Sequence, residues 1–445
     1  MIPQPPSLRA GWYTVFVLML AYISSFIDRQ ILSLLVGPLK RDLLLSDTQV
    51  SLLMGLSFAL FYTLLGIPIG RLADRANRRN IIIVGIGVWS LMTAVCGLAR
   101  TYTQFFLARV GVGVGEATLS PAAYSMLADE FPKEKLATAI SVYSAGIYIG
   151  SGIAVLIGAV LVSLGGDALT VTLPVVGTIF AWQRLFFYIG IPGLLLALLV
   201  RTVREPARKS LLTSATGQVQ TLSLADAFAL IRQKQAAFLS VTLGITFISL
   251  VAYASSAWTP TYLVRTFGWK IGQAGFAYGL IVAVFSTSGI ILGGRYADLL
   301  TRRGQTDGRL RIGIYSAIGV LVGALFPLID NVTVVLCLLP IPCFFVAFPF
   351  GASSAAIQVI MPNQARGLAS ALYLFVINLV ALGFGPTLVA LLTDYVFHDE
   401  KALRYSLAIT IAGGSVLALG CYAYGLAPYR RAIEAVRVQE LAQVY

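Results

Sequence analysis

Two acidic and two basic residues lie inside long apolar stretches of this sequence, and they are its best candidates for chemistry. They are Asp28, Arg29, Arg109 and Glu116. A charge inside a membrane is costly and is seldom retained without a use. A carboxylate held by an arginine stays ionised, and loss of that arginine to a substrate anion raises its affinity for a proton. The four residues are therefore predicted to bind a proton and a substrate. The structural alternative, in which they neutralise one another permanently and orient their helices, stays open.

The depths of these residues in a membrane predict which of them meet. If the first helix leaves the cytoplasm near Trp12, Asp28 lies about 24 Å above that side, at roughly 1.5 Å per residue. If the fourth helix starts at the outer side near Gln104, Arg109 lies about 8 Å and Glu116 about 18 Å below it. In a core about 30 Å thick, Asp28 and Arg109 are nearly level, and Glu116 is near the middle. Glu116 is thus the first candidate for the proton carrier and Asp28 the second.

Long apolar stretches must position these charges. Hydrophobic residues make up 58% of the 445 residues and charged residues 11%, against about 25% charged in soluble domains. About 20 residues cross the hydrocarbon core as a helix. The sequence predicts an all-α membrane protein with twelve transmembrane helices, near residues 12–36, 50–69, 81–99, 104–128, 137–163, 185–200, 238–264, 271–293, 312–329, 332–360, 367–392 and 402–426.

A charged segment occurs twice, about half a chain apart. Gly70–Arg79 returns as Gly294–Arg303, with Gly, Arg, Ala, Asp, Arg and Arg at the same positions. A duplicated membrane bundle with a charged turn after its second helix is typical of a secondary transporter. The predicted domains are a six-helix bundle over 1–200, a cytoplasmic linker over 201–237 and a second six-helix bundle over 238–445. The end of the linker is either a short amphipathic helix or plain coil.

The distribution of basic residues predicts the orientation. Lys and Arg number 32 against 19 acidic residues, a net charge of +13, and they concentrate on the segments that would be cytoplasmic if both termini are. This is the positive-inside rule, and it explains the basic charge without nucleic acid. The short amino-terminal segment has no secretory pattern, and the four cysteines lie in apolar stretches, which predicts neither a disulfide nor a metal site. We expect a monomer in a bacterial inner membrane.

The second half of the chain has no charge deep inside its predicted spans, since Arg404 lies at the very start of the last one. Its spans contain aromatic and amide side chains instead, among them Tyr253, Tyr278, Tyr373 and Asn378. We expect these four to line a cavity as an apolar, aromatic wall, although each aromatic ring alone is more typical of packing or of an interfacial belt. Such a wall would suit an amphipathic molecule with an anionic head.

Several motifs resemble those of the major facilitator superfamily over nearly the whole chain. Gly70–Arg79 and Gly294–Arg303 match its signature in loop 2-3 and the echo in loop 8-9. Arg109 followed by spaced glycines is similar to its helix-4 proton-coupling motif. Gly146, Gly150 and Gly152 resemble its glycine-rich fifth helix without the usual Gly-Pro pair. The resemblance implies two six-helix bundles around a central cavity.

Within that superfamily the chain is most similar to the spinster-like group. The similarity lies in Phe26-Ile-Asp28-Arg29, in Gly113-Val-Gly115-Glu116-Ala117 and in Leu127-Ala-Asp129-Glu-Phe131. A rival is the anion:cation symporter group, which includes carriers of sugar acids. That group also has Asp-Arg in helix 1 and an Arg–Glu pair in helix 4, and Trp258-Thr-Pro260-Thr-Tyr-Leu263-Val-Arg265 resembles its helix 7.

The resemblance also implies a cytoplasmic gate at the two charged loops. In that family such residues close the inner side through charge pairs and helix-end dipoles. The repeated Asp favours a gate over a role in topology alone, since acidic residues add little to positive-inside retention. The residues concerned are Gly70, Asp74, Arg75, Arg78, Gly294, Asp298 and Arg302.

We therefore expect a secondary active transporter that works by alternating access and uses a proton gradient rather than a cofactor. The resemblance to the spinster-like group implies a lipid-like anion, such as a lysolipid or a sphingolipid, as the substrate, and the rival group implies a sugar acid. A non-transporting membrane sensor is a further alternative, although no added soluble domain is evident. A membrane enzyme is less favoured still, because no His/Asp/Ser constellation is available.

Overall fold

The computed structural model describes residues 8–131, 139, 142–154, 156, 170–173, 177–207, 224–361 and 366–444. The first half of the chain contains helices α1 (Leu8–Gln30), α2 (Val36–Leu43), α3 (Asp47–Met54), α4 (Leu56–Arg75), α5 (Arg78–Cys96), α6 (Tyr102–Glu116), α7 (Leu119–Glu130), α8 (Val142–Ala154) and α9 (Arg184–Val200). A hairpin of β1 (Thr170–Leu173) and β2 (Gly177–Phe180) precedes α9.

The remainder of the described chain is helical. Its helices are α10 (Leu224–Gln233), α11 (Gln235–Phe267), α12 (Ile271–Ile281), α13 (Thr287–Arg302), α14 (Gly308–Gly323), α15 (Val332–Leu338), α16 (Pro340–Ala347), α17 (Phe350–Ile360), α18 (Arg366–Val376), α19 (Gly383–Leu391) and α20 (Leu403–Val444). Single π-helical turns at Val282–Ser286, Ile377–Leu382 and Leu392–Phe397 interrupt or extend these helices.

Ten helical runs among the described residues are long and apolar enough to cross a membrane. They correspond to the predicted spans except the fourth and the fifth. The fourth is divided by Ala117 and Thr118 into α6 and α7, and the fifth includes residues outside the described ones. The predicted class, a twelve-helix membrane protein, is confirmed.

Two details of the spans follow from local chemistry. The tenth predicted span, 332–360, is broken into α15, α16 and α17, with Pro340 at the start of one helix and Pro349 just before the next. Proline lacks the N–H that a helix interior needs, so it is tolerated at such starts. The end of the linker forms the helix α10.

The chain divides into two compact units. The first consists of residues 1–211 and 259–283, and the second of residues 212–258 and 284–445. The last part of α11 and all of α12 thus belong to the first unit. The predicted domain limits at 200 and 238 stay a prediction.

Glycines set the distance between helices inside the first unit. A Cβ atom added at Gly113 would lie 2.8 Å from the Phe58 carbonyl oxygen of α4, and one at Gly115 would lie 2.6 Å from the Trp89 amide nitrogen of α5. Real Cβ atoms do not approach other atoms so closely. The glycines after Arg109 therefore admit the backbones of α4 and α5, and α6 lies close to both helices.

Candidate functional site

The four charges predicted from the sequence lie together in the first unit. Asp28 and Arg29 lie in the last turn of α1, just before a 3-10 turn, Ile31–Leu34. Arg109 lies in α6, and Glu116 is the last residue of that helix. Asp28, Arg109 and Glu116 are each no more than 1% exposed. Arg29 is favoured at its position because a helix dipole places partial negative charge at the carboxyl end.

Asp28 pairs with Arg109, as the depth argument expects. Arg109 Nη1 lies 3.3 Å from Asp28 Oδ1, and the hydroxyl of Thr93 in α5 donates to Asp28 Oδ2 at 2.6 Å. Each carboxylate oxygen of Asp28 thus has one donor. The residues come from three helices, so the pair joins α1, α5 and α6.

Glu116 pairs with Arg29, a contact that the sequence argument did not identify. Arg29 Nε and Nη2 lie 2.7 Å and 2.6 Å from Glu116 Oε2. The hydroxyl of Ser25 donates to the same oxygen. Ser25 precedes Arg29 by four positions on α1, so both side chains face one side of that helix. That spacing was the signal in the sequence that could have revealed Ser25.

Arg29 is also surrounded by aromatic rings. Its guanidinium carbon lies 4.8 Å from the ring centre of Phe26, 4.3 Å from that of Phe58 and 5.0 Å from that of Tyr62. An arginine within about 6 Å of a ring centre is attracted to the ring. The cation therefore lies between one carboxylate and an aromatic surface, with 11% of its side chain exposed.

Three polar atoms of this cluster have no hydrogen-bond partner among the described residues. They are Glu116 Oε1 and the Nε and Nη2 atoms of Arg109. Arg109 does lie 5.8 Å from the ring centre of Phe58. Buried polar atoms are normally hydrogen-bonded, and an unpaired one in a native protein calls for a functional explanation. These atoms can accept or donate a further hydrogen bond without breaking an existing one.

The cluster is neutral when both carboxylates are ionised, since it holds two of each charge. Asp28 and Glu116 lie near enough to repel each other electrostatically, and each has an arginine to offset that repulsion. Removal of either arginine would leave an uncompensated buried charge, which is strongly destabilising. Protonation of the abandoned carboxylate relieves that cost. The arrangement can thus couple a proton to whatever displaces an arginine.

The predicted cytoplasmic gate is described only in part. The side chains of Gly70, Asp74, Arg75 and Asp298 lie outside the described residues, and Arg302 is exposed at the end of α13. Arg78 is buried: its Nη1 donates to Asp129 and Ser125 of α7, and its Nε lies 2.8 Å from Glu205 Oε1. Arg78 thus holds the start of α5 against α7 and the segment after α9. Asp129 was among the residues that support the family resemblance, but the sequence argument did not pair it.

The predicted aromatic wall is not assembled within one unit. Tyr278 belongs to the first unit, whereas Tyr253, Tyr373 and Asn378 belong to the second. Tyr278 and Tyr373 are buried, and Asn378 lies in a π-helical turn. Among the described residues, no group of three or more His, Cys, Asp or Glu side chains is placed to hold a metal ion.

Comparisons with known proteins agree with this architecture. The sequence model of the Major Facilitator Superfamily matches residues 18–386. An MFS-type efflux pump of Mycolicibacterium smegmatis is 29% identical over 96% of this chain and 95% of its own length. A probable L-galactonate transporter of Escherichia coli is 25% identical over 95% and 92%.

Solved structures show the same relationship. The inward-facing, unoccupied crystal structure of a bacterial homologue of the human lysosomal transporter spinster has 26% identity and a TM-score of 0.76. The match covers 96% of this chain and 98% of that one.

The membrane helices, the repeated charged loop and these relatives define a secondary transporter that works by alternating access. The chain belongs to the Major Facilitator Superfamily. The predicted resemblance to the spinster-like group is confirmed, and sugar-acid carriers are also among the relatives.

Proposed function

We propose that the protein is a proton-coupled carrier in which Glu116 binds the proton while Arg29 binds the substrate. The observation that supports this most is the Glu116–Arg29 pair itself. The carboxylate is 1% exposed and its Oε1 has no hydrogen-bond partner among the described residues, whereas the arginine keeps 11% of its side chain exposed beside three rings. The exposed part of Arg29 can therefore contact an incoming anion, whereas the Glu116 carboxylate is buried.

The coupling follows from the charges. An anion that binds Arg29 competes with Glu116 for the same guanidinium. Glu116, deprived of its cation in a site of low dielectric constant, then binds a proton from solvent and becomes neutral. Anion and proton thus bind together, and the loss of either favours the loss of the other. Asp28 keeps its own arginine throughout, which makes it the second candidate for the proton site.

The substrate that this site suits best is an amphipathic or lipid-like anion. Arg29 would hold the anionic head, and the rings of Phe26, Phe58 and Tyr62 would offer an apolar surface next to it. The resemblance of the chain to the spinster-like group also implies a lipid-like substrate. A lysolipid or a sphingoid phosphate has both chemical parts in one molecule.

A small sugar acid is the second candidate. The observation in its favour is the 25% identity to a probable L-galactonate transporter over 95% of this chain. A sugar acid would use the same guanidinium for its carboxylate and polar groups for its hydroxyls. A thermal-shift screen of lysolipids, sphingoid phosphates and sugar acids on the purified protein separates the two classes.

The decisive experiment is uptake of the ligand from that screen in proteoliposomes, with and without an imposed pH gradient. Glu116→Gln should abolish accumulation driven by the gradient but keep exchange, because the amide resembles the protonated acid. Glu434→Gln, which removes an exposed carboxylate of α20, is the matched control and should behave as wild type. Accumulation by Glu116→Gln at the wild-type level would place the proton site elsewhere and make Asp28 the residue to test.

The remaining parts of the proposal concern location and gating. We place the protein as a monomer in a bacterial inner membrane with both termini cytoplasmic, which the bacterial relatives and the basic residues support. The two charged loops would close its cytoplasmic side. The buried network of Arg78 with Asp129 and Glu205 supports a gate there, because it ties three segments of the chain together at one end of α5.

A further inference from the structure

The two oxygens of the Glu116 carboxylate differ in their surroundings. Oε2 receives hydrogen bonds from Arg29 Nε and from the Ser25 hydroxyl, and Arg29 Nη2 lies 2.6 Å away. Oε1 has no partner among the described residues. In Asp28, by contrast, Oδ1 meets Arg109 and Oδ2 meets Thr93. Within the described part of the chain, Glu116 thus has an oxygen without a donor and Asp28 does not.

We infer that Ser25 is a positioning residue that fixes Glu116 through Oε2, so that the transported proton binds Oε1. This inference rests on the proposed function, in which Glu116 is the proton carrier. A proton at Oε1 breaks no hydrogen bond, whereas a proton at Oε2 would have to displace a donor. The same comparison distinguishes Glu116 from Asp28, which has a donor on each oxygen.

A hydroxyl suits this task for a chemical reason. It has one donor and two acceptor positions and can rotate. Ser25 donates to Oε2 while Glu116 is ionised. After protonation Oε2 becomes the carbonyl oxygen of a neutral acid and still accepts from Ser25. When a substrate anion has taken Arg29, Ser25 is the described donor that keeps the carboxyl group in place.

Other titratable or charged groups surround the site. Asp28 and Arg29, both on α1, interact electrostatically with Glu116. Neither residue is replaced in the variants below. Also nearby are Tyr22 of α1 and Tyr62 of α4, which interact with Arg29, Cys96 of α5, which lies near Asp28 and Arg109, and Arg109 on the same helix as Glu116.

The test is an infrared titration of the purified full-length protein in nanodiscs, without substrate. Protonation of a carboxylate produces a carbonyl stretching band, and the band of Glu116 is the one that disappears in Glu116→Gln. Ser25→Ala removes a donor to the ionised form and should raise the proton affinity about tenfold, which moves the pH midpoint of the band up by about one unit. The same variant should raise the frequency of the band, since the carbonyl oxygen loses a hydrogen bond.

Two controls separate positioning from packing. Ser57→Ala removes a buried hydroxyl of α4 that donates to the Leu53 carbonyl oxygen near the end of α3, and it should leave midpoint and frequency unchanged. Ser25→Thr keeps a hydroxyl and should restore both to wild-type values. Thr93→Ala removes the corresponding bond on Asp28 and should shift the Glu116 midpoint less than Ser25→Ala does.

Each result decides a different point. If Ser25→Ala changes neither the pH midpoint nor the frequency of the Glu116 band, the positioning role is overturned and the proposed function still stands. A midpoint that moves while the frequency does not would place the proton on Oε2 and overturn the assignment to Oε1. If no band of the wild-type protein disappears in Glu116→Gln, proton binding at Glu116 fails, and the positioning role fails with it.

Discussion

Asp47 and Arg265 form a bidentate salt bridge, although they are 218 positions apart in the sequence. Arg265 Nη1 lies 2.6 Å from Asp47 Oδ2, and Nη2 lies 2.8 Å from Oδ1. Lys40 adds a third bond, with Nζ 2.7 Å from Oδ1. Asp47 begins α3, Arg265 lies in the last turn of α11, and both belong to the first unit. The contact fixes the end of α11 to the segment between α1 and α4.

Asp47→Asn should therefore destabilise the protein. The Asp47 side chain is fully buried, and its loss would leave two cations facing each other without their anion. Breaking a buried pair by removing one partner costs about 3 kcal/mol or more. We expect a clear fall in the melting temperature of the purified protein, measured by intrinsic fluorescence in detergent.

Asp330→Asn is the matched control for that measurement. Asp330 also pairs with an arginine, Arg404, at 2.6 Å, but its side chain is 87% exposed. An exposed pair contributes about 1 kcal/mol or less. If the two variants melt at the same temperature, the Asp47–Arg265 contact does not stabilise the unit.

The two arginines of the buried cluster should respond differently to replacement by lysine. Arg29 offers two nitrogens to Glu116 and lies against three rings, whereas Arg109 offers one nitrogen to Asp28. An ammonium group cannot reproduce a planar guanidinium on a carboxylate and an aromatic surface. Arg29→Lys should lower gradient-driven uptake by about tenfold or more.

Arg109→Lys should lose less activity than Arg29→Lys, because an ammonium can still make the single bond to Asp28. Uptake in proteoliposomes at matched protein amounts measures both. A larger loss in Arg109→Lys would show that its two unpaired nitrogens, rather than its bond to Asp28, are used during transport.

The sequence was sufficient to find the cluster and to expect the Asp28–Arg109 pair, but not to identify the Arg29–Glu116 pair. Charged residues are rare in apolar spans, so their positions in the sequence identified the four residues. The helical rise then placed Asp28 level with Arg109. The rise says nothing about the direction of a side chain. Asp28 and Arg29 are neighbours and point to different sides of α1, and only the packing of α1 against α6 shows that Arg29 reaches Glu116.

Contacts outside the spans were harder to predict. Asp47 and Arg265 lie at helix ends, where a charge is ordinary, and nothing in their spacing links them. The antiparallel strands β1 and β2 were not predicted either, because Thr170–Phe180 is too short to form a membrane span. The break of the tenth span follows from single residues, because Pro340 starts one helix and Pro349 directly precedes the next.

Asp74→Asn should impair the conformational cycle more than substrate binding, since the charged loop lies far along α4 from the buried cluster. The repeat supplies a matched variant, Asp298→Asn, which should act in the same direction. Binding is measured by the thermal shift with the ligand found in the screen, and cycling by exchange in proteoliposomes. Equal losses of binding and exchange in Asp74→Asn would contradict a gating role.

The spaced glycines of α6 lead to a prediction about the position of Glu116. A Cβ atom at Gly115 would lie 2.6 Å from the Trp89 amide nitrogen and 2.7 Å from the Gly85 carbonyl oxygen. Both are backbone atoms and cannot rotate away. Gly115→Ala should thus push α6 from α5 and displace the adjacent carboxylate, at a cost of about 1–3 kcal/mol.

Gly87→Ala is the matched control, because Gly87 lies in α5 and a Cβ atom added there would meet nothing within 4 Å. Alanine favours the helix over glycine by about 1 kcal/mol, so this variant should be neutral or slightly stabilised. Thermal unfolding measures the change in stability, and the infrared band of Glu116 measures the displacement of its carboxylate. Gly115→Ala should lower the melting temperature and shift the band. Gly87→Ala should neither lower the melting temperature nor shift the band. A Gly115→Ala protein with wild-type stability and an unshifted band would show that the contact between α5 and α6 does not hold Glu116 in place.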